Sequence, residues 1–279
     1  MRFIKAFLAG LFLAFGGALV QVMNNSPELV QFSPGLLKII QGAVFPVGLV
    51  MIVLFQADLV TASQAIFILA TLKRKVPIHA FLIDWTICTI GNLAGALLFG
   101  GFVAGSEILA ASPAAGTPTF AAQAAALANT KMAPGFGQIL LRGIGCNMLV
   151  CIAVFQASLM KDGISKIAAS WFPISVFIAL GFDHVVANFF VLLSALMYHS
   201  TTNYSVGTYI WKSLISSFIG NFVGAAIIAL PLLACHGGNE FDPSKLSKST
   251  AIAPSPEGTV AHEKTQQWAK DVEHSAVVP

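Results

Sequence analysis

The sequence predicts an all-α integral membrane protein with six transmembrane helices, on three observations. The 279 residues are 56% hydrophobic and 10% charged, with a mean hydropathy of +0.80, which is far more apolar than the core of a soluble domain requires. Six apolar stretches are each long enough to cross a bilayer core, which takes about 20 helical residues. They lie at about 3–23, 39–72, 77–104, 136–160, 169–198 and 207–235. The second and fifth stretches are about ten residues too long for one helix and carry polar residues near the middle.

The first stretch, MRFIKAFLAGLFLAFGGALV, has the length of a signal peptide, but no convincing cleavage site follows, so we interpret it as the first membrane helix. Orientation is predicted from the short loops, because cytoplasmic loops are enriched in Lys and Arg. With six alternating helices, one side of the membrane receives Arg2, Lys5, Lys73, Arg74, Lys75, Lys161 and Lys166, and the other receives Lys38, Lys131 and Lys212. Both termini are therefore predicted to be cytoplasmic.

Polar residues interrupt the second and fifth stretches, as FQADLVTAS at 55–63 and GFDHVVAN at 181–188. Both stretches are predicted to be broken helices. Non-helical backbone at membrane depth must be covered by protein or line a polar cavity, because lipid offers no partner to an N–H or C=O group. The breaks are therefore predicted to line a pore.

Two similar motifs indicate an internal repeat. The third stretch carries GNLAGALLFG from Gly91, and the sixth carries GNFVGAAIIAL from Gly220. Three helices in each half give the halves opposite orientations, as in transporters with a site between inverted repeats. The glycines are also expected to let helices pack closely. Residues 1–235 are thus predicted to form one transmembrane pore domain, with repeats at about 3–104 and 136–235.

The remaining residues, 236–279, are rich in Ser, Lys, Pro and Glu and are predicted to be a disordered cytoplasmic tail. The formal net charge of +3 and the pI near 8.7 are too mild to indicate a nucleic-acid partner. The four cysteines lie in or at the end of apolar stretches, and their spacing fits neither a disulfide framework nor a metal site. No metal or other cofactor is predicted.

Four polar side chains at the breaks are candidates for function. Asp58 and Asp183 each precede a helix-forming run, and we interpret them as N-caps of the second half-helices rather than proton carriers. The hydroxyl of Thr61 either bonds to its own helix or faces the permeating species. His184 is ionisable and lies deep in a membrane segment, which favours a functional role with an acidic substrate. An intramembrane hydrolase built on Asp183 and His184 is disfavoured, because adjacent residues cannot easily form a base and its orienting partner.

The chain resembles the formate/nitrite transporter family over about residues 5–235. The motifs that carry the resemblance are, in family order, KAFLAG, ADLVT, GNLAGALLF, KMAPGFGQILLRGIGCNMLVCIAV, KDG, GFDHVVANFF and IGNFVGA. The resemblance implies a channel or transporter, not an enzyme. It also implies six helices in an aquaporin-like inverted repeat, with the second and fifth helices broken, and a homopentamer with one pore in each subunit. We expect a plasma-membrane location.

The same resemblance implies roles for single residues. The polar centre of the pore is expected at His184, Thr61 and Asn221. The apolar constriction on the cytoplasmic side falls on Phe45, Leu49 and Phe177, and the outer one falls on Leu59, Val60 and Val150. Lys131, in the long loop before the fourth span, and Asn147 match family residues that attract and orient the anion.

A bare anion would lose most of its hydration inside two apolar rings, at a cost of several kcal/mol. We therefore predict that a small monovalent weak-acid anion gains a proton in the vestibule or at His184 and crosses as the neutral acid, so that transport is proton-linked. Nitrite and formate are the predicted substrates, with a slight preference for nitrite. Lactate, acetate and hydrosulfide are alternatives on the same fold, and a membrane scaffold that depends on the tail is a remote one.

Overall fold

The computed structural model describes residues 1–106, 119–198 and 201–236, and this part of the chain is helical, with no β-strand. Six segments of it have the length and hydropathy to cross a membrane. They are Arg2–Asn24, Pro34–Phe55, Ile78–Gly105, Phe136–Leu159, Gly163–Leu180 and Val206–Cys235. The predicted all-α fold with six transmembrane helices is confirmed. The predicted tail lies outside the described residues, apart from its first residue.

The first half of the chain contains three spans, of which the second is interrupted. Its helices are α1 (Arg2–Asn24), α2 (Pro27–Phe32), α3 (Pro34–Val44), α4 (Val47–Phe55), α5 (Val60–Leu72) and α6 (Ile78–Gly105). The short α2 connects α1 to the second span, and α3 and α4 form its first part. Residues 56–59 are non-helical, and α5 then completes the span.

The second half repeats this order. Its helices are α7 (Phe120–Met132), α8 (Phe136–Leu159), α9 (Gly163–Leu180), α10 (Val185–Met197), α11 (Val206–Tyr209) and α12 (Ile215–His236), with a π-helical turn at Ile210–Leu214 between the last two. Residues 181–184 form the second break, between α9 and α10. In each half the first and last spans pack along each other, as α1 with α6 and α8 with α12.

Both breaks begin with the same turn. The N–H of Ala57 donates to the carbonyl five residues earlier at 2.9 Å, and Gln56 adopts φ +52°. At the second break the N–H of Phe182 makes the equivalent bond at 3.1 Å, and Gly181 adopts φ +73°. A left-handed residue followed by this bond is the Schellman motif, which ends many helices. The predicted breaks in the second and fifth helices are therefore confirmed.

The helix after the KDG motif begins with a side-chain cap. The carboxylate of Asp162 accepts a hydrogen bond from the N–H of Ser165 at 2.8 Å. This bond satisfies a backbone donor that has no partner within the first turn of α9. It also holds the pKa of Asp162 below its usual value.

Glycines let the paired spans approach until backbone meets backbone. A Cβ atom on Gly95 of α6 would lie 2.0 Å from the carbonyl oxygen of Phe7 in α1. A Cβ atom on Gly224 of α12 would lie 2.3 Å from the carbonyl oxygen of Ile144 in α8. No side chain fits at either distance, so these glycines permit the close packing that brings α6 and α12 within reach of the breaks.

Gly95→Ala is expected to force α1 and α6 apart, because a methyl group has no space beside Phe7. Overpacking of a well-packed contact costs about 1–3 kcal/mol, so the purified variant should lose its monodisperse folded fraction at a lower temperature than the wild type. Gly101→Ala is the matched control, since the same helix has open space around Gly101. Equal thermal stability of the two variants in detergent would contradict this packing.

Candidate functional site at the two helix breaks

The two breaks meet at a contact between a histidine and a threonine. Nε2 of His184, at the end of the second break, lies 2.8 Å from Oγ1 of Thr61, in the first turn of α5. Only 2% of His184 and none of Thr61 is exposed. The contact joins the two repeats at their interface, where the sequence predicts the polar centre.

The hydrogen-bond partners of His184 define its tautomer. Nδ1 of its ring accepts from the backbone N–H of Ala187 at 3.1 Å and thereby caps α10. A backbone N–H only donates, so Nδ1 must carry a lone pair and the proton of the neutral ring lies on Nε2. Nε2–H therefore donates to Oγ1 of Thr61, and the hydroxyl hydrogen of Thr61 remains available to a further acceptor.

Asn221 of α12 holds the second break. Its Oδ1 accepts from the N–H of Val185, the first residue of α10, at 3.0 Å. Its Nδ2 donates to the carbonyls of Gly143 at 2.8 Å and Asp183 at 3.0 Å. One buried amide thus satisfies three backbone groups and joins α12, α8 and the break.

Asn92 of α6 does the same at the first break. Its Oδ1 accepts from the N–H of Val60 at 3.0 Å, and its Nδ2 donates to the carbonyls of Ala6 at 2.7 Å and Asp58 at 3.0 Å. Asn92 is absent from the predicted site residues. The signal that identifies it is the repeated G-N pair, which is Gly91–Asn92 in the third stretch and Gly220–Asn221 in the sixth.

The prediction that Asp58 and Asp183 cap the second half-helices is wrong. The N-cap positions belong to Leu59 and His184, one residue later in each break. The first N–H groups of α5 and α10 are satisfied by Asn92 and by Asn221, from neighbouring spans, together with the His184 ring. Each aspartate contributes its backbone carbonyl to this arrangement instead of its carboxylate.

The carboxylate of Asp183 forms a buried ion pair. Its Oδ1 lies 2.8 Å from Nζ of Lys131, and the side chains are 1% and 21% exposed respectively. The same oxygen accepts from Nδ2 of Asn188 at 3.3 Å. Lys131 lies in the last turn of α7 rather than in a loop, which corrects the prediction of its setting. Its charge is compensated by Asp183, so its role in attracting anions stays a prediction.

Asn147 ties the two halves together near the centre. Its Nδ2 has three acceptors within reach, the carbonyls of Thr61 at 3.1 Å and Asn221 at 2.7 Å and Oε1 of Gln64 at 2.9 Å. None of its surface is exposed. This geometry fits a residue that holds α5, α8 and α12 in register. Gln64, also fully buried, is a second member of the network that the sequence did not identify.

The apolar side chains predicted to form the constrictions are buried, and one of them lies beside the His184 ring. The rings of Phe45 and Phe177 meet edge to face with centroids 5.6 Å apart, and Phe177 lies 6.0 Å from the His184 ring. The six residues predicted to form two constrictions are all buried, with no more than 2% of their surfaces exposed. They are Phe45, Leu49 and Phe177 in one set and Leu59, Val60 and Val150 in the other.

The predicted sides of the two constrictions are reversed relative to the predicted orientation. The carbonyl of Phe45 packs against Gly16, in the second half of α1. Val60 is tied through Asn92 to the carbonyl of Ala6, near the start of α1. If the N-terminus is cytoplasmic, the set that contains Phe45 therefore lies on the outer side and the set that contains Val60 on the cytoplasmic side.

A cavity of about 320 Å³ lies beside the first break. Its lining is mainly apolar and includes the side chains of Arg2, Lys5, Asp58, Leu59 and Ser63. Arg2 also forms an ion pair with the buried carboxylate of Asp84 in α6. This end of the bundle thus has a cavity that carries three charged residues, Arg2, Lys5 and Asp58, next to the Leu59 set.

Two sequence comparisons agree on the relatives of this chain. The family model described as Formate/nitrite transporter matches residues 1–234. The uncharacterized transporter YrhG of Bacillus subtilis is 37% identical over 233 residues, which are 80% of this chain and 80% of that protein. A probable formate transporter of Methanothermobacter thermautotrophicus is 35% identical over 233 residues, which are 80% of this chain and 84% of the relative.

The fold is similar to that of a solved structure described as a pentameric formate channel with formate bound. The TM-score is 0.74, and the alignment covers 85% of this chain and 96% of the channel at 21% identity. The relatives are transporters, so the prediction of a membrane transport protein rather than an enzyme is confirmed. With the family model matched from the first helix to the last, the chain belongs to the formate/nitrite transporter family.

Proposed function

We propose that the protein carries small monovalent weak-acid anions across the plasma membrane, each with one proton, through a pore within each subunit of a homopentamer. The observation that carries the proposal is the buried His184–Thr61 pair, together with the near-complete burial of the two apolar sets of side chains. Formate is the first candidate substrate, because one relative is a probable formate transporter and the similar solved structure is a formate channel with formate bound. Nitrite, which the sequence favours slightly, is the second.

The apolar sets support passage of a neutral species. A small anion that leaves water for an apolar passage loses hydration worth many kcal/mol unless a fixed charge replaces it. The side chains of both sets are hydrocarbon. The neutral acid avoids most of this cost and keeps one donor and one acceptor, which the central pair can match.

The tautomer of His184 supports a role as a hydrogen-bond donor. A second proton on Nδ1 would remove the acceptor of the Ala187 N–H and leave the start of α10 without its cap. We therefore propose that the substrate gains its proton in the vestibule, before it reaches His184. At the centre Thr61 donates to the doubly bonded oxygen of the neutral acid, while Nε2–H orients Thr61.

Charged residues near each break support the gathering of anions. Lys131 is paired with Asp183 at the second break, and Arg2 and Lys5 line the cavity at the first. Arg2 and Lys131 are each paired with a buried aspartate, which weakens their attraction for an anion, so neither end is expected to hold the anion in a deep trap. Both termini are proposed to be cytoplasmic.

Uptake of labelled formate into vesicles that contain the purified protein should rise as the external pH falls. Above the pKa of the acid, the neutral fraction increases about tenfold for each unit fall in pH, and each formate should bring one proton inside. Tracer flux and an internal pH dye measure this together. Empty vesicles give the control, because formic acid also crosses lipid. A protein-dependent flux that is constant across pH and carries full anionic charge would contradict the neutral-acid route.

Thr61→Val should reduce uptake by about tenfold or more. The change keeps the shape of the side chain but leaves Nε2–H of His184 without a partner, a loss worth about 1–3 kcal/mol for a buried donor. Thr61→Ser is the matched variant, because it keeps the hydroxyl and should retain most of the flux. Equal flux through the Val and Ser variants would mean that the hydroxyl takes no part in transport.

His184→Asn separates hydrogen bonding from proton exchange. Asparagine is a good N-cap and can keep the start of α10, but it is shorter than histidine and cannot titrate. We expect the flux to fall by about tenfold as the donor to Thr61 is lost, while the pH dependence of the remaining flux persists. If the imidazole is the proton relay, the variant should instead lose its pH dependence and pass anionic current under voltage clamp.

A further inference from the structure

Two adjacent residues of the π-helical turn, Lys212 and Ser213, bond to groups next to the Lys131–Asp183 pair. Nζ of Lys212 donates to the carbonyls of Met132 at 2.6 Å and Ala133 at 3.3 Å. These carbonyls belong to the end of α7, immediately after Lys131. A cation at this position satisfies carbonyls that have no partner within the helix and interacts favourably with the helix dipole. Lys212 therefore fixes the turn from which Lys131 extends.

Ser213 supports the other partner of the pair. Its Oγ accepts from Nδ2 of Asn188 at 3.3 Å, and the same Nδ2 donates to Oδ1 of Asp183 at 3.3 Å. Ser213, Asn188 and Asp183 are each 1% exposed. Ser213 thereby positions the side-chain amide of Asn188, which in turn donates to the carboxylate of Asp183.

The π-helical turn itself is stabilised by hydroxyl groups. Its wider winding replaces the normal hydrogen bonds of an α-helix. The hydroxyls of Ser216 and Ser217 donate to the carbonyls of Lys212 and Ser213. Single π turns of this kind are frequently found at functional sites. Here the turn directs Lys212 towards α7 and Ser213 towards α10.

We propose that Lys212 and Ser213 are positioning residues that clamp the Lys131–Asp183 pair at the second break. Asp183 precedes His184 directly, and a buried carboxylate that loses its cation is strongly destabilised. The clamp keeps the break, and with it the His184 ring, in one geometry. The consequence for transport rests on the proposed function, whereas the consequence for the ion pair rests on these contacts alone.

Acetylation of Lys131 by a water-soluble succinimidyl ester tests the ion pair without transport. An amine that is paired with a carboxylate reacts slowly, because only the free, deprotonated amine attacks. In purified, monodisperse protein, Lys212→Gln should raise the rate at Lys131 by up to about tenfold, as expected when a hydrogen bond from a charged group is lost. Ser213→Ala should raise it by a smaller factor, because the bond that it removes joins two neutral groups. Peptide mass spectrometry measures the rate relative to the exposed Lys75.

Matched variants separate positioning from general loosening. Lys212→Arg keeps a cation at the end of α7 and should preserve slow acetylation of Lys131. Lys38→Gln removes a lysine from an exposed site on the predicted outer side and should leave the acetylation rate of Lys131 unchanged. Asp183→Asn breaks the pair directly and gives the upper limit of the rate. A Lys212→Gln rate equal to that of Lys38→Gln would overturn the proposal.

Formate uptake then tests the link to transport. Lys131→Gln and Lys212→Gln should reduce the flux by similar factors, and the double variant should fall no further, because both changes remove the same interaction. Fully additive losses would overturn the positioning role. If the wild-type protein carried no formate at all, the proposed substrate would fail, but the acetylation rates would still decide the role of Lys212.

Discussion

The fold depends on one constraint, which is that non-helical backbone inside a membrane must find its hydrogen-bond partners within the protein. Two asparagine side chains meet this constraint. Asn92 and Asn221 each accept from the first N–H of a half-helix and donate to a carbonyl of the break and to another carbonyl in a neighbouring span. The glycine contacts of α6 with α1 and of α12 with α8 are needed because an amide side chain is short and reaches three backbone groups only when the spans nearly touch.

The site arises where the two repeats differ on this shared scaffold. Leu59 and His184 hold the same N-cap position in their respective breaks, but only His184 offers a ring nitrogen that caps its helix and a second nitrogen that faces the other repeat. Its partner Thr61 lies two residues after the cap position of the first break. A single polar contact is thus made by different residues, Thr61 and His184, from equivalent segments. Leu59, at the cap position of the first break, is apolar.

Much of the architecture follows from the sequence. The length of an apolar stretch and the polar residues that interrupt it are local properties, and comparison of that length with the bilayer thickness predicts the spans and the breaks. The caps do not follow in this way. A local rule assigns the cap to Asp58, whereas the actual partner of the first N–H comes from Asn92, 32 residues away from Val60. The helix that carries Lys131 and the pairing of that lysine with Asp183 are likewise tertiary facts, since the 13-residue α7 has little apolar patterning to reveal it.

The sides of the two apolar sets show another limit of sequence reasoning. The chain reaches the first break only after α3 and α4 have run 22 residues through the membrane, so the break lies near the end at which α1 begins. The order of the motifs does not show how deep each residue lies in the membrane. That depth follows from tertiary contacts such as the one between Phe45 and Gly16.

The arrangement of charge around the centre fits the proposed function, in which the site must bind its substrate weakly enough to release it. Conduction needs a site that an ion or acid enters readily and also leaves. Lys131 is compensated by Asp183, and the central contact itself consists of the neutral ring of His184 and the hydroxyl of Thr61. A site built from neutral donors gains about 1 kcal/mol from each hydrogen bond, roughly half of what a bond to a charged group gives. Under the proposed function, such a site exchanges a small acid rapidly, whereas an uncompensated cation at the same depth would bind the anion too tightly to release it.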